Sequence, residues 1–189
     1  MNIALIFPGQ GSQYIGMGKD FFDNCEASKL IFNNLDETIG FKLSELIFNG
    51  SDEELSKTTN SQPAIMSLSI AIFKEINKRG ILNEKKIHSV AGHSLGEYSA
   101  LVANNSLSFE DSVKLLKVRS EAMQKSMPIG TGGMAAVLGQ SEDEILHTIE
   151  KLKSYGKLFI ANDNADGQIV LSGEINAINH LCENSKTLV

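Results

Sequence analysis

Apolar residues fall along this chain in two rhythms. The first is the short unbroken run bounded by glycine and proline. Ile3 to Phe7, ended by Pro8-Gly9, is one such run, and Ile87 to Ala91, ended by Gly92, is another. Both predict strands of a parallel sheet covered on both faces. The second rhythm is helical. Residues 17 to 58 read as several short helices, with Ser51-Asp52-Glu53-Glu54 fitting a capping box. Ser61-Gln62-Pro63 then opens a helix with a capping serine and a first-turn proline, and that helix runs to Arg79 before Gly80. It is apolar nearly all round (Ile65, Met66, Leu68, Ile70, Ile72, Phe73), as expected of a helix in the middle of a fold. Gly92 to Gly96 is a turn, Glu97 to Asn104 a helix, and Ser108 starts another that reaches about Met127-Pro128.

The pattern changes after Pro128. Gly130-Thr131-Gly132-Gly133 reads as a linker, Met134 to Leu138 as a strand, and Ser141 with Glu144 as a capping box for a helix to about Lys153. Leu158 to Asn162 and Gln168 to Ser172 read as strands joined by a turn-rich loop, Asp163 to Gly167, and Glu174 to about Asn184 as a helix. The order β-α-β-β-α lacks one strand of a ferredoxin-like unit. The expectation is an α/β protein with a large domain over 1–128 and a truncated ferredoxin-like subdomain over 129–189.

Composition narrows the function classes. With 189 residues, 42% hydrophobic and 21% charged, the chain is ordinary globular material. A net charge of −6 argues against a nucleic-acid partner, which needs a basic footprint. Cys25 and Cys182 form neither a CxxC pair nor a metal-ligand spacing and read as reduced thiols. The opening Met1 to Phe7 lacks a basic segment before its apolar run, and Ala64 to Phe73 is too short to span a bilayer. A cytoplasmic protein without a membrane span is expected.

The sharpest chemical signal is strand, then Gly92-His93-Ser94-Leu95-Gly96, then helix. That is the context of a nucleophile elbow. A serine on a tight turn presents its hydroxyl at the strand end, small neighbours let the backbone pass, and the helix N-terminus faces the site. Gly9-Gln10-Gly11-Ser12-Gln13 is a second glycine-rich loop, able to turn backbone N–H groups toward a ligand, and it is not a phosphate-binding Gly-Lys-Ser/Thr loop. Of 17 basic residues only Arg79 and Arg119 are arginine. Arg79 sits at a helix end and is expected only to complement the helix dipole. Arg119 falls within the arc of Phe109, Val113, Leu116 and Met123, which is expected to face inward, while Lys114, Lys117 and Lys125 face outward. A guanidinium there calls for an anion, either a structural carboxylate or a substrate carboxylate held bidentately. None of the four histidines is a good base for Ser94. His88 reads as a core residue, His147 and His180 lie on helices of the second unit without a partner in view, and the side chain of His93 points differently from that of Ser94.

These segments together resemble the malonyl-CoA:acyl carrier protein transacylase family. The likeness runs through Phe7 to Gln13, Ser61 to Ala64, Gly92 to Tyr98, Val118-Arg119, Met123-Gln124, Gly130 to Ala136, and Asn162, Asn164, Gln168, Val170, Ser172 and Gly173. It implies a hydrolase-like parallel-sheet domain carrying the ferredoxin-like insertion. It implies that Ser94 is acylated, that the N–H groups of Gln10 and Leu95 form an oxyanion hole, and that Arg119 grips the malonyl carboxylate. Gln62 and His93 would line the substrate site. The family's catalytic histidine lies beyond Val189, so the general base is absent and the chain alone should be a poor catalyst. The implied substrates are malonyl-CoA and acyl carrier protein, in fatty-acid synthesis, with no metal or redox cofactor.

Two other readings stand beside this one. A serine esterase or thioesterase of the α/β-hydrolase type would use the same elbow but explains neither Arg119 nor Gly9 to Gln13. A non-catalytic fragment that only binds partners predicts no adduct on Ser94.

Overall fold

Strand β1 (Ile3–Phe7) lies parallel to β2 (Ile87–Gly92), with Leu5 opposite Val90 and Phe7 opposite Gly92. Parallel neighbours require a crossover. Here it is filled by α1 (Lys19–Asn24), α2 (Glu26–Ile39), α3 (Leu43–Asn49), α4 (Asp52–Ser56) and α5 (Thr58–Lys78). Two further helices, α6 (Gly96–Ala103) and α7 (Phe109–Ser126), follow β2. The computed structural model describes residues 2–82, 87–128 and 130–184 of this α/β chain, which divides into two units, Met1–Gln124 and Lys125–Val189. The expected domain boundary at residue 129 and the last stretch, 185–189, fall outside the described residues.

The first unit is organised around helices rather than around its sheet. On α2, Ile31, Phe32, Leu35 and Ile39 recur at helical spacing and are buried, and Gly40 in the left-handed region ends the helix. They meet Met66 and Ile70 of α5 in one core. Phe22, Phe32 and Phe48 add a cluster of rings with centroids 5.1 to 6.0 Å apart.

Several expectations need correction. Helix α5 begins at Thr58, a turn before Ser61, and places Pro63 inside the helix. The amides of Asn60 and Ser61 already donate to Lys57 O, so helical pairing is under way upstream of Ser61. The Ser51 box is half formed. Ser51 accepts from the Glu54 amide, but the Glu54 carboxylate turns to Lys57 at 2.6 Å. The sheet is not covered on both faces among the described residues: Ile6, which points to the face opposite its buried neighbour Phe7, is 79% exposed. His88 is exposed on β2 and is not a core residue. Arg79 does more than complement a helix end. It donates to Glu75 at 2.7 Å, and that hydrogen bond holds the Glu75 carboxyl below its usual range.

The second unit has the order β3 (Gly132–Leu138), α8 (Glu142–Leu152), β4 (Leu158–Ala165), β5 (Gln168–Glu174), α9 (Ile175–Glu183). Its antiparallel sheet runs β3-β5-β4, and Ile145, Leu158, Leu171 and Ile178 fill its core. The Ser141–Glu144 capping box forms in both directions. Gly132 and Gly133 belong to β3 rather than to a linker. A methyl at Gly132 would meet Met127, and one at Gly133 would meet Ile175 and Ile178, so the glycines let these neighbours close on the strand. The expected loop at 163–167 contracts to a two-residue turn, Asp166-Gly167, the pair a tight hairpin favours. His180 has a partner after all, stacked on Tyr155 with ring centroids 3.7 Å apart.

Candidate active site

The sheet ends where the chemistry begins. Phe7 lies opposite Gly92, and the His93 amide donates to Phe7 O at 3.0 Å, carrying the ladder one residue past β2. The next residue, Ser94, takes φ 55°, a left-handed conformation that costs a side-chain-bearing residue energy. The amides of Gly96 and Glu97 then donate to His93 O and Ser94 O, which starts α6 within two residues. The glycines make this turn possible. A methyl on Gly92 would run into the Gly96 backbone, and one on Gly96 would strike the carbonyl oxygen of Phe7. Ser94 is exposed while Leu95 is fully buried, so the turn is anchored on one side and presents its hydroxyl on the other.

The loop from Gly9 to Gln13 lies against this turn. A methyl built on Gly9 would come within 2.6 Å of His93 Nδ1 and 2.9 Å of His93 O. Its glutamines tie the loop down. Gln10 Nε2 donates to Thr58 Oγ1 at 3.3 Å, Gln13 Nε2 to Ser56 Oγ at 3.4 Å, and Gln13 Oε1 accepts from the Gly11 amide at 2.9 Å. Among the described residues, the backbone N–H groups of Gln10 and Leu95 have no hydrogen-bond acceptor.

Helix α7 brings Arg119 to the same place. Its Nη2 donates to Ser94 Oγ at 2.9 Å and its Nη1 to Gln62 Oε1 at 2.5 Å. Among the described residues Arg119 forms no ion pair. A half-buried guanidinium held by two neutral oxygens is a ready site for an anion. The inward arc of α7 is narrower than its apolar pattern implied. Phe109, Val113 and Leu116 are buried, but Met123 is 44% exposed. Met123 still reaches the site, since its sulfur accepts from Gln62 Nε2 at 3.4 Å. Two of the outward lysines have partners: Lys114 pairs with Asp111 at 3.6 Å and Lys117 donates to Ile39 O at 3.4 Å.

The structure therefore brings Ser94, Arg119 and Gln62 into one hydrogen-bonded chain, with His93 and the Gln10 loop beside it. Sequence reasoning missed Thr58 and the Met123 sulfur. The spacing of Met123, one helical turn after Arg119, was the available signal for the latter. No cluster of metal-ligating side chains occurs among the described residues, and none of their helices is long and apolar enough to cross a membrane.

A family model described as an acyl transferase domain matches residues 4–187. The chain belongs to the acyl transferase domain family. Malonyl CoA-acyl carrier protein transacylase of Bacillus subtilis (strain 168) is 45% identical over 185 residues, covering 97% of this acyl transferase domain chain and 57% of the relative. The crystal structure of acyl-carrier-protein-S-malonyltransferase from Bartonella henselae superposes with a TM-score of 0.89 at 44% identity, over 98% of this chain and 59% of that one. A malonyl-transacylase solved in complex with its type II PKS acyl-carrier protein superposes with a TM-score of 0.87 at 33% identity, again over 98% and 59%. This acyl transferase domain chain thus spans less than three-fifths of the length of these relatives.

Proposed function

We propose that this chain is part of a malonyl-CoA:acyl carrier protein transacylase of fatty-acid synthesis, with Ser94 as the acyl-accepting nucleophile. The observation that carries this reading is the Arg119 guanidinium beside Ser94 Oγ, a cation without a carboxylate partner among the described residues. In the reaction, Ser94 Oγ attacks the thioester carbonyl of malonyl-CoA. The carbon–oxygen bond forms, the carbon–sulfur bond breaks, and CoA leaves as the thiol. The phosphopantetheine thiol of acyl carrier protein then attacks the acyl-serine and restores the hydroxyl. The N–H groups of Gln10 and Leu95 hold the oxyanion, Arg119 grips the free carboxylate, and Gln62 and His93 line the substrate site. Two acyl transfers of this kind need no metal or redox cofactor.

The finer architecture belongs to the same proposal. The first 128 residues belong to a hydrolase-like domain, and 129–189 to a ferredoxin-like subdomain whose described residues supply three strands. The β3-β5-β4 order supports the latter, because it leaves the outer edge of β3 for a fourth strand. A cytoplasmic location fits the soluble substrates.

The test is to incubate the chain with malonyl-CoA and map any acyl adduct by peptide mass spectrometry, with Ser94→Ala as control. A malonyl adduct on Ser94, formed in preference to acetyl from acetyl-CoA, supports the proposal. Acylation by simple aryl esters without preference for a carboxylate favours the esterase. No adduct from any donor favours the non-catalytic reading.

A further inference from the structure

Gln62 is fully buried on α5, so its amide must find its partners within the protein. Two side chains on α7 settle which way round that amide sits. Arg119 has donors and no acceptor, so it can face only the amide oxygen, and Nη1 donates to Oε1. The amide nitrogen is thereby turned to the other side, where Met123 Sδ accepts from Nε2 at 3.4 Å. A thioether has lone pairs and no proton, so it can face only the nitrogen. Arg119 and Met123 stand four residues apart on one helix face and hold the Gln62 amide between a donor and an acceptor.

We propose that Met123 is a positioning residue for Arg119, acting through Gln62. Its sulfur keeps Gln62 Oε1 turned toward the guanidinium. That fixes one arm of the fork and leaves the other, Nη2, aimed at the Ser94 hydroxyl. If the amide reversed, NH2 would confront guanidinium, donor against donor, and Arg119 would swing away. A leucine at 123 fills similar space without an acceptor. A glutamine there restores an acceptor at similar reach. The inference rests on the reading of Arg119 as the carboxylate-binding group.

The experiment uses the full chain with Met123→Leu and Met123→Gln. The first readout needs no substrate: the side-chain NH2 resonances of Gln62 in nitrogen-15 spectra, identified by their loss in Gln62→Leu. In Met123→Leu they should shift and exchange faster with solvent, and in Met123→Gln they should return toward the wild-type exchange rate. The second readout is the dissociation constant of malonyl-CoA against that of acetyl-CoA, measured by calorimetry. Met123→Leu should weaken malonyl-CoA about three- to tenfold, the range for one lost hydrogen bond, leave acetyl-CoA unmoved, and be rescued by Met123→Gln. Unchanged Gln62 resonances in Met123→Leu overturn the proposal. So does equal weakening of both thioesters, which marks a loss of packing. If the wild type does not distinguish the two thioesters while the Gln62 resonances respond as expected, the link from Met123 to Gln62 stands and the carboxylate role of Arg119 falls.

Discussion

Arg119 donates to Ser94 across 25 positions of sequence, its Nη2 lying 2.9 Å from the serine hydroxyl oxygen. The two residues come from different elements. Ser94 is delivered by the turn after β2 and Arg119 by α7, and both are steadied by the core that contains Leu95 and Leu116. With Nη1 on Gln62 and Nη2 on Ser94, both arms of the fork are engaged by neutral oxygens. An incoming carboxylate competes with those oxygens and, being charged, binds the guanidinium more strongly.

Arg119→Lys tests whether fork geometry or charge alone matters. Lysine keeps the charge but cannot reach Gln62 and a second oxygen through one planar group. Binding of malonyl-CoA by the chain should weaken by about 10- to 100-fold, the range for a hydrogen-bonded charge, while acetyl-CoA binding stays within error. Calorimetry with both thioesters checks this, and an undiminished malonyl preference in the lysine variant would rule out the fork.

Ser94 occupies a left-handed conformation for the sake of its position, so stability is sacrificed there. Ser94→Ala and Ser94→Gly both delete the hydroxyl and its bond to Arg119. They differ in their tolerance of φ 55°. The glycine variant should be the more stable of the two by about 1 kcal/mol, read from urea unfolding curves. Equal stabilities would mean that the turn carries no strain.

Much of this was legible in the sequence, and the gaps have physical causes. Gly92-His93-Ser94-Leu95-Gly96 announces a strand–turn–helix because only glycines permit the backbone contacts made at 92 and 96. Arg119 stood out as an arginine among lysines within an apolar arc. The beginning of α5 was misplaced because Pro63 imitates a first-turn proline, while backbone pairing from Lys57 overrides it. The exposure of one face of β1 is not legible in Ile3 to Phe7, because an unbroken apolar run does not say which of its side chains other elements cover. Ile6 remains exposed. The Gln62–Met123 contact was invisible because it depends on which way a side-chain amide faces, and a sequence does not encode that locally.

Two truncations separate the helical core from the open strand. Leu35 is fully buried between α2 and its neighbours, and Leu35→Ala should cost about 2 to 5 kcal/mol in chemical unfolding. Ile6→Ala removes as many carbons from an exposed strand position and should change stability by no more than about 0.5 kcal/mol. A large loss at Ile6 would show that this face of β1 is covered in solution.

The capping box of α8 carries a pH signature. Glu144 accepts from the Ser141 amide at 2.8 Å and from the Ser141 hydroxyl at 2.8 Å. The amide bond first, and the hydroxyl second, lower the Glu144 pKa from its ordinary carboxylate value. A group whose folded pKa is depressed stabilises the fold above its unfolded pKa, and that contribution is lost as pH falls through the folded pKa. Wild type should therefore exceed Glu144→Gln in melting temperature at pH 7. The gap should narrow once pH drops below the ordinary carboxylate value and close as Glu144 protonates in the folded state. Ser141→Ala removes the hydroxyl and the cap it provides, so the same pH step should be smaller in that background. Melting curves of the four combinations across pH 7 to about 2.5, spanning the carboxylate range, decide the matter. A gap that stays constant over that range would mean the Glu144 carboxylate contributes nothing as a charged acceptor, and that α8 is held by its buried face at Ile145 and Leu152 alone.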